Sequence, residues 1–194
     1  MSSQVDVFNL ALTKLGQDRA ISVDDDAEAV RVLRSLWDIT RDTVLARHPW
    51  RFALKRASLP ADAAQPLYGW ERQFELPEEA LRLVQVGDAD AWYTSELTVF
   101  QLEGAMVMTD EAAPLRVRYV RRVTNVGDWP PLFCRAVAMQ LAADACEKLV
   151  QSLSKQSGAV AEYERAVTEA RQQNAIERPP APAQHSRWLE SRGD

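Results

Sequence analysis

Apolar positions recur at two different spacings along the chain, and the change between them divides it. Val5, Phe8, Leu12 and Leu15 are spaced by three, four and three, one stripe of an amphipathic helix. Ser2 or Ser3 supplies a cap at its start, and Gly16 suits a left-handed turn at its end. After a connector over 17–23, a hydroxyl and three carboxylates at 22–26 read as a helix start, where the helix dipole favours negative charge. The spacing predicts a second helix from about Asp24 to Arg47. Val30, Leu33, Trp37, Val44 and His48 share its face, Thr40 fills the gap, and Pro49 ends it.

From Arg51 the period shortens. Arg51 to Leu59 is a mixed strand-like run, and Pro60 to Pro66 is a loop between prolines. Gln73–Leu76, Leu81–Val86, Thr98–Leu102, Ala105–Met108 and Leu115–Val120 read as strands. Glu103-Gly104 makes a hairpin turn, and Gly87-Asp88-Ala89-Asp90 a second turn. In the last strand Leu115, Val117 and Tyr119 fall on one face, Arg116 and Arg118 on the other. The helical period returns after Trp129-Pro130-Pro131. Leu132 to Leu153 is apolar nearly all round, which predicts a central buried helix, broken at Gln156-Ser157-Gly158. Val160, Tyr163, Val167 and Ala170 then form a last stripe, and a proline-rich tail begins near Ile176.

These elements predict a mainly α fold: an antiparallel bundle of about four helices with a small antiparallel β insertion and an extended C-terminal arm. The corresponding division is 1–50 and 129–176 for the bundle, 51–128 for the β-rich insertion and 177–194 for the arm. A chain of 194 residues is long enough for one domain with a core of its own.

Charge and cysteine content narrow the function classes. The formal net charge of −5 excludes a protein that is basic overall and built to hold nucleic acid. No apolar run is long enough to span a membrane, and the N-terminus has neither the basic flank nor the apolar core of a signal peptide. Cys134 and Cys146, placed on one helix, stand ~18 Å apart, too far for a disulfide. Both read as reduced and buried, which suits the cytoplasm.

Chemistry is sparse. His48 and His185, the only histidines, have no Cys or Asp at ligand spacing, so no metal is expected, and His48 reads as packing or capping a helix end. Asp24-Asp25-Asp26 lacks the alternate carboxylates, the glycine and the distal Glu of a calcium loop. There is no nucleophile elbow and no Gly-rich phosphate loop, so neither a catalytic residue nor a cofactor is assigned. Arg116, Arg118, Arg121 and Arg122 form a basic cluster with two readings: a solvated strand face, or a contact to an acidic partner or a nucleic-acid backbone. Asp88, Asp90, Glu96, Glu103, Asp110 and Glu111 concentrate negative charge in the β-rich part. Trp37, Trp50, Trp70 and Trp92 are more large aromatics than one small core needs, which points to some between subunits. In the tail, Arg178, Pro179, Pro180 and Pro182 make an extended arm carrying Trp188 and Leu189. It is either a disordered terminus or an anchor for a partner's groove. The closing Arg192-Gly193-Asp194 matches an adhesion tripeptide by chance.

Several segments, in order, carry a family likeness. They are Asn9-Leu10-Ala11-Leu12-Thr13-Lys14-Leu15-Gly16; Arg41-Asp42 leading to His48-Pro49-Trp50-Arg51-Phe52-Ala53; Phe74-Glu75-Leu76-Pro77 with Leu81-Arg82-Leu83-Val84; Thr109-Asp110 before Leu115-Arg116-Val117-Arg118-Tyr119; and Trp129-Pro130-Pro131-Leu132-Phe133 opening a helix with Leu141-Ala142-Ala143. Over nearly its whole length the chain resembles the head-to-tail adaptors of tailed bacteriophages, in particular the tail tubular protein A group. The resemblance implies a non-enzymatic virion protein of the neck, assembled in the host cytoplasm, in a ring of about twelve copies under the portal. Such a ring extends the DNA channel and offers a platform to the next tail or nozzle protein. It implies that the arm with Trp188 docks on the portal and that DNA passes without sequence-specific contact. The acidic residues would face the lumen or a tail partner, since an acidic wall lets DNA slide. Other neck proteins, the stopper and the tail terminator, are the nearest alternatives. A small cytoplasmic hydrolase or a monomeric helical binding module stand further off.

Overall fold

The computed structural model describes residues 2–87 and 99–176. Helix α1 spans Gln4–Leu15, and Ser3 caps it in a reciprocal box with Asp6. Those bonds, the backbone amide first, hold the Asp6 carboxyl below its ordinary range. Gly16 closes the helix at φ 71°, the left-handed turn that its sequence position predicts.

Helix α2 covers Glu28–Arg47, not Asp24–Arg47. The carboxylates ahead of it build a turn instead. Asp25 accepts from the amides of Ile21 and Ser22, and Asp24 and Asp26 pair with Arg34 and Arg31 of the helix. Aspartate competes for nearby backbone amides, and here that competition delays the helix by a turn. His48 ends α2 before Pro49.

A single 3₁₀ turn at Arg51–Ala53 leads into six strands: β1 Leu54–Leu59, β2 Arg72–Glu75, β3 Ala80–Val86, β4 Gln101–Glu103, β5 Met106–Thr109 and β6 Leu115–Arg121. They form two three-stranded antiparallel sheets, in the orders β1-β6-β3 and β2-β5-β4. Helix α3, Pro131–Leu149, and helix α4, Leu153–Ile176, complete the described fold.

A mainly α bundle with a small insertion is therefore not what forms. The architecture is a mixed α/β one, four helices with two sheets. The sheets face each other over a core of their own, with Leu59, Phe74, Val86, Val107, Leu115, Val117 and Tyr119 buried between them. Two hydrophobic layers that enclose their own core amount to a second half of the fold, and short strands at low sequence periodicity understate that.

Helix α3 is buried on nearly every side and packs against α1, α2 and α4. Ala136, Ala138, Ala142, Ala143 and Ala145 keep those approaches close. The break after it falls at 150–152, where Gln151 takes φ 52°, and Gly158 lies inside α4. Ala159, Tyr163, Ala166, Val167 and Ala170 bury the face of α4, while Val160 is exposed. Cys134 and Cys146 lie on α3, buried and free.

Strand β6 joins the halves. Its odd positions Leu115, Val117 and Tyr119 enter the sandwich core, while Val120 packs with Leu54 against the helices.

Candidate functional site

The segments around the two Trp-Pro or Pro-Trp steps converge on one aromatic joint. Trp37 stacks on Trp129 with centroids 5.7 Å apart, and Phe8 meets Trp37 edge-on. Phe133 receives Trp129, Trp50 and Phe52 edge-on at 5.1, 5.2 and 4.8 Å. The Trp50 indole donates to the Val44 carbonyl at 2.9 Å and the Trp129 indole to that of Val123 at 3.1 Å. Trp37 and Trp50 are thus spent inside one chain. Trp70 stays half-exposed, its indole 3.4 Å from Gln101, and Trp92 lies outside the described residues.

His48 stands at the edge of this joint, against Trp50 at 4.9 Å. Asn174 of α4 bridges it to the chain: its carbonyl accepts from the Arg51 amide at 2.9 Å, so its NH₂ faces His48 Nε2 at 3.3 Å. A nitrogen that accepts there is unprotonated. Burial, then the charges of Arg171 and Arg82, hold His48 below its ordinary 6.5. Packing at a helix end is what this histidine does. Among the described residues no three of His, Cys, Asp and Glu come together to hold a metal.

Other shifted groups are structural neighbours. Tyr119, buried and donating to Glu79 at 2.8 Å, is pushed up to about 12, and Lys55 meets the same carboxylate at 2.6 Å. Burial raises Tyr163, with Arg47 over its ring at 5.1 Å, and raises the Cys134 thiol.

The expected quartet Arg116, Arg118, Arg121 and Arg122 does not stay together. A strand turns alternate residues to opposite faces. Arg121 faces the side of Tyr119 and Glu79. Arg122 pairs with Asp42 of α2 at 2.8 Å and helps fasten sheet to helix. Asp42 also takes Arg41, which is buried and reaches Asp38 as well. Arg116 and Arg118 remain on the outer face of the first sheet and gain a partner the linear pattern could not give. The register sets Arg56 of β1 opposite Arg118, and Ser58 opposite Arg116, with Gln85 of β3 on the other side of Arg118. The row nearest the helices, Leu54 and Val120, is covered by them, and the arginine rows continue past that cover. There they line a groove of about 380 Å³ with Gln85 and Gly87. The alternation of β1, with exposed Arg56 and Ser58 around Ala57, was the only signal for Arg56.

The acidic residues also separate. Glu103 closes β4 at the tip of the second sheet, next to the Gly104-Ala105 turn. Asp110 and Glu111 lie at the opposite end of β5, where Asp110 accepts from the Glu71 amide and Arg72 donates to both their carbonyls. Asp88, Asp90 and Glu96 lie outside the described residues, as does the arm with Arg178, Pro179, Pro180, Pro182, Trp188 and Leu189.

Two exposed apolar patches had no sequence signal. Leu67 and Tyr68 are 97% and 87% exposed ahead of β2, and Val99, Phe100 and Leu102 are exposed at the β4 edge of the same sheet. Leu153, 84% exposed, and Val160 flank an open cavity on the first turns of α4. Among the described residues no helix is long and apolar enough to cross a membrane.

Neither a family model nor a curated protein matches the chain.

Proposed function

We propose that this chain is a structural ring subunit of a tailed-bacteriophage neck, a head-to-tail adaptor that sits under the portal and carries no chemistry of its own. It extends the DNA channel and presents a platform to the next tail or nozzle protein. Its partners are further copies of itself, about twelve to a ring, the portal, that tail component, and DNA in passage.

One observation supports this reading above the others. Two of the segments that carry the family likeness are far apart in sequence and meet at the aromatic joint. His48 to Ala53 and Trp129 to Phe133 interlock there through Trp50, Phe52, Trp129 and Phe133. The Asn9 to Gly16 segment buries Leu12 and Leu15 of α1 in the same core. Residues that define the likeness hold helices to a sheet sandwich, which is the work of a building block. The surface fits the same reading. A closed ring needs two different patches on each copy, and this chain exposes an arginine groove, a projecting hairpin and two apolar patches at separate places. A net charge of −5 suits a channel that DNA must leave freely.

The test is native mass spectrometry of the full chain, alone and with the portal ring encoded beside it, with and without residues 177–194. The reading expects a full ring on the portal that is lost with the truncation. A full-length protein that ignores the portal overturns it.

A further inference from the structure

Among the described residues four strands border the two sheets, β1 and β3 in the first and β2 and β4 in the second. Three of them are guarded against a further strand. β1 carries Lys55 and Arg56 and runs to Pro60. β2 is covered by the loop before it, where the Asp62 amide donates to the Gln73 carbonyl at 2.9 Å. β3 is interrupted by shifts of register between Ala80 and Arg82 and between Leu83 and Gln85. Cations, cover and bulges all keep a sheet edge from pairing with a neighbour. β4 and the two residues before it have none of these. Val99-Phe100-Gln101-Leu102-Glu103 holds no cation and no proline, and the register of β4 on β5 is regular.

The backbone of that edge is open at a definite place. The Ala105 carbonyl accepts from the Leu76 amide, so odd residues of β5 turn their backbone groups to β2 and even ones to β4. Gln101 and Glu103, opposite Met108 and Met106, therefore bond within the hairpin. Leu102 lies between them and directs its N–H and C=O off the sheet. Among the described residues nothing meets those two groups. The Leu102 side chain continues the row of Phe74 and Val107, both fully buried, out to an open flank. Val99, Phe100 and Leu102 keep 71%, 42% and 47% of their surface. An apolar row and unpaired backbone that end at one edge invite an added strand.

We propose that a second copy of this chain fills the edge, β4 against β4, antiparallel about a two-fold axis at Gln101. The other edges of the copy are guarded, so like strands meet. That centre sets Leu102 of each copy against Phe100 of the other, and Val99 against Glu103. Leu102 and Phe100 exchange backbone hydrogen bonds, and their side chains join the two sandwich cores in one row. Charge and turn geometry select this register. A centre at Glu103 would oppose two carboxylates, and a centre at Leu102 would set Phe100 against the Gly104 turn. The three apolar side chains offer roughly 250 Å² per copy against the ~1,200 Å² total of a stable interface, so the dimer is weak and forms as concentration rises. The contact closes on two copies. It cannot propagate into a ring and does not rest on the adaptor reading.

Sedimentation equilibrium of the full chain without portal, from about 10 µM to about 1 mM, should show monomer passing to dimer. A chain that stays monomeric throughout overturns the pairing and leaves the edge to another protein or to another segment of the same chain. Gln101→Cys reads the register. Residues at the two-fold form a non-hydrogen-bonded pair with Cα atoms ~4.5 Å apart, within reach of a disulfide. Mild oxidation should link the Gln101→Cys chains in pairs, since the native Cys134 and Cys146 are buried. Ser58→Cys, exposed on β1, should stay unlinked. Leu102→Lys gives β4 a cation of the kind that guards β1. It should weaken association about tenfold or more and leave the circular dichroism spectrum unchanged. Where that spectrum changes, the cysteine comparison decides. A Leu102→Lys chain that keeps its fold and pairs as readily as the unaltered one overturns the proposal. So does a Gln101→Cys chain that links no faster than Ser58→Cys.

Discussion

Asn9 shows at the residue scale how much one side chain can hold. It sits buried in α1, where an asparagine is a poor helix former. Its NH₂ donates to the Ala20 carbonyl at 3.0 Å and its oxygen accepts from the Ala20 amide at 2.8 Å. Both backbone groups of a buried residue are satisfied by one amide, and the connector between α1 and α2 is pinned. Asn9→Ala orphans both, at a cost of about 2–4 kcal/mol. Urea unfolding measures it, and a loss under about 1 kcal/mol would mean that water replaces the amide. Nothing in the period around Asn9 marks it, because a polar residue between Phe8 and Leu10 reads as solvent-facing. The Ser3 cap and the Gly16 stop were legible for the opposite reason: their chemistry is local and acts on the nearest backbone.

At the scale of elements, the C-terminus of α2 is held from three directions. Arg82 of β3 donates to the Ala46 and Arg47 carbonyls at 3.3 Å, Arg47 reaches Glu164 and the Tyr163 hydroxyl on α4, and Asn174 holds His48. The His48 contact makes the element sensitive to pH. Its folded pKa lies below the 6.5 of the free side chain, so the unfolded chain takes up the proton first. The contribution is complete above about 6.5 and is lost as pH falls through the folded value. Urea midpoints should decline between pH 7.5 and 5.5, and less so in His48→Gln, which keeps an acceptor and does not titrate. Equal declines in the two chains would clear His48. The helices and five of the strands were legible within a few residues, since each repeats its period several times. The start of α2 was not, because three aspartates serve a turn as well as a cap. Nor was the division of strands between two sheets, which depends on pairings across up to 66 residues, as between Leu54 and Val120.

For the whole molecule the decisive question is whether helices and sandwich are one cooperative unit. Val120 is fully buried in the helical core, one residue from Tyr119 in the sandwich core. Val120→Ala should cost about 2 kcal/mol. The loss should move near-ultraviolet and far-ultraviolet circular dichroism melts together, since β6 is common to both cores. Separate transitions would show two units that unfold independently. The candidate surfaces belong to this scale too, and their legibility follows from it. Arg116 and Arg118 were visible as strand alternation, but Arg56 stands roughly sixty residues away and joins them only through the register of β1 on β6.

That double membership of β6 has a consequence for how the chain finds its strand pairing. A strand with one buried face can slip by two residues and still hide its apolar set. Here a slip of one residue would carry Arg116 and Arg118 into the sandwich and turn Val117 and Tyr119 outward. A slip of two would remove Val120 from the helices and set Arg118 or Arg122 in its place. Each shift meets a charge on one side or the other, so the pairing has a single solution. The guanidiniums on the outer face of the first sheet thus forbid the wrong alignment.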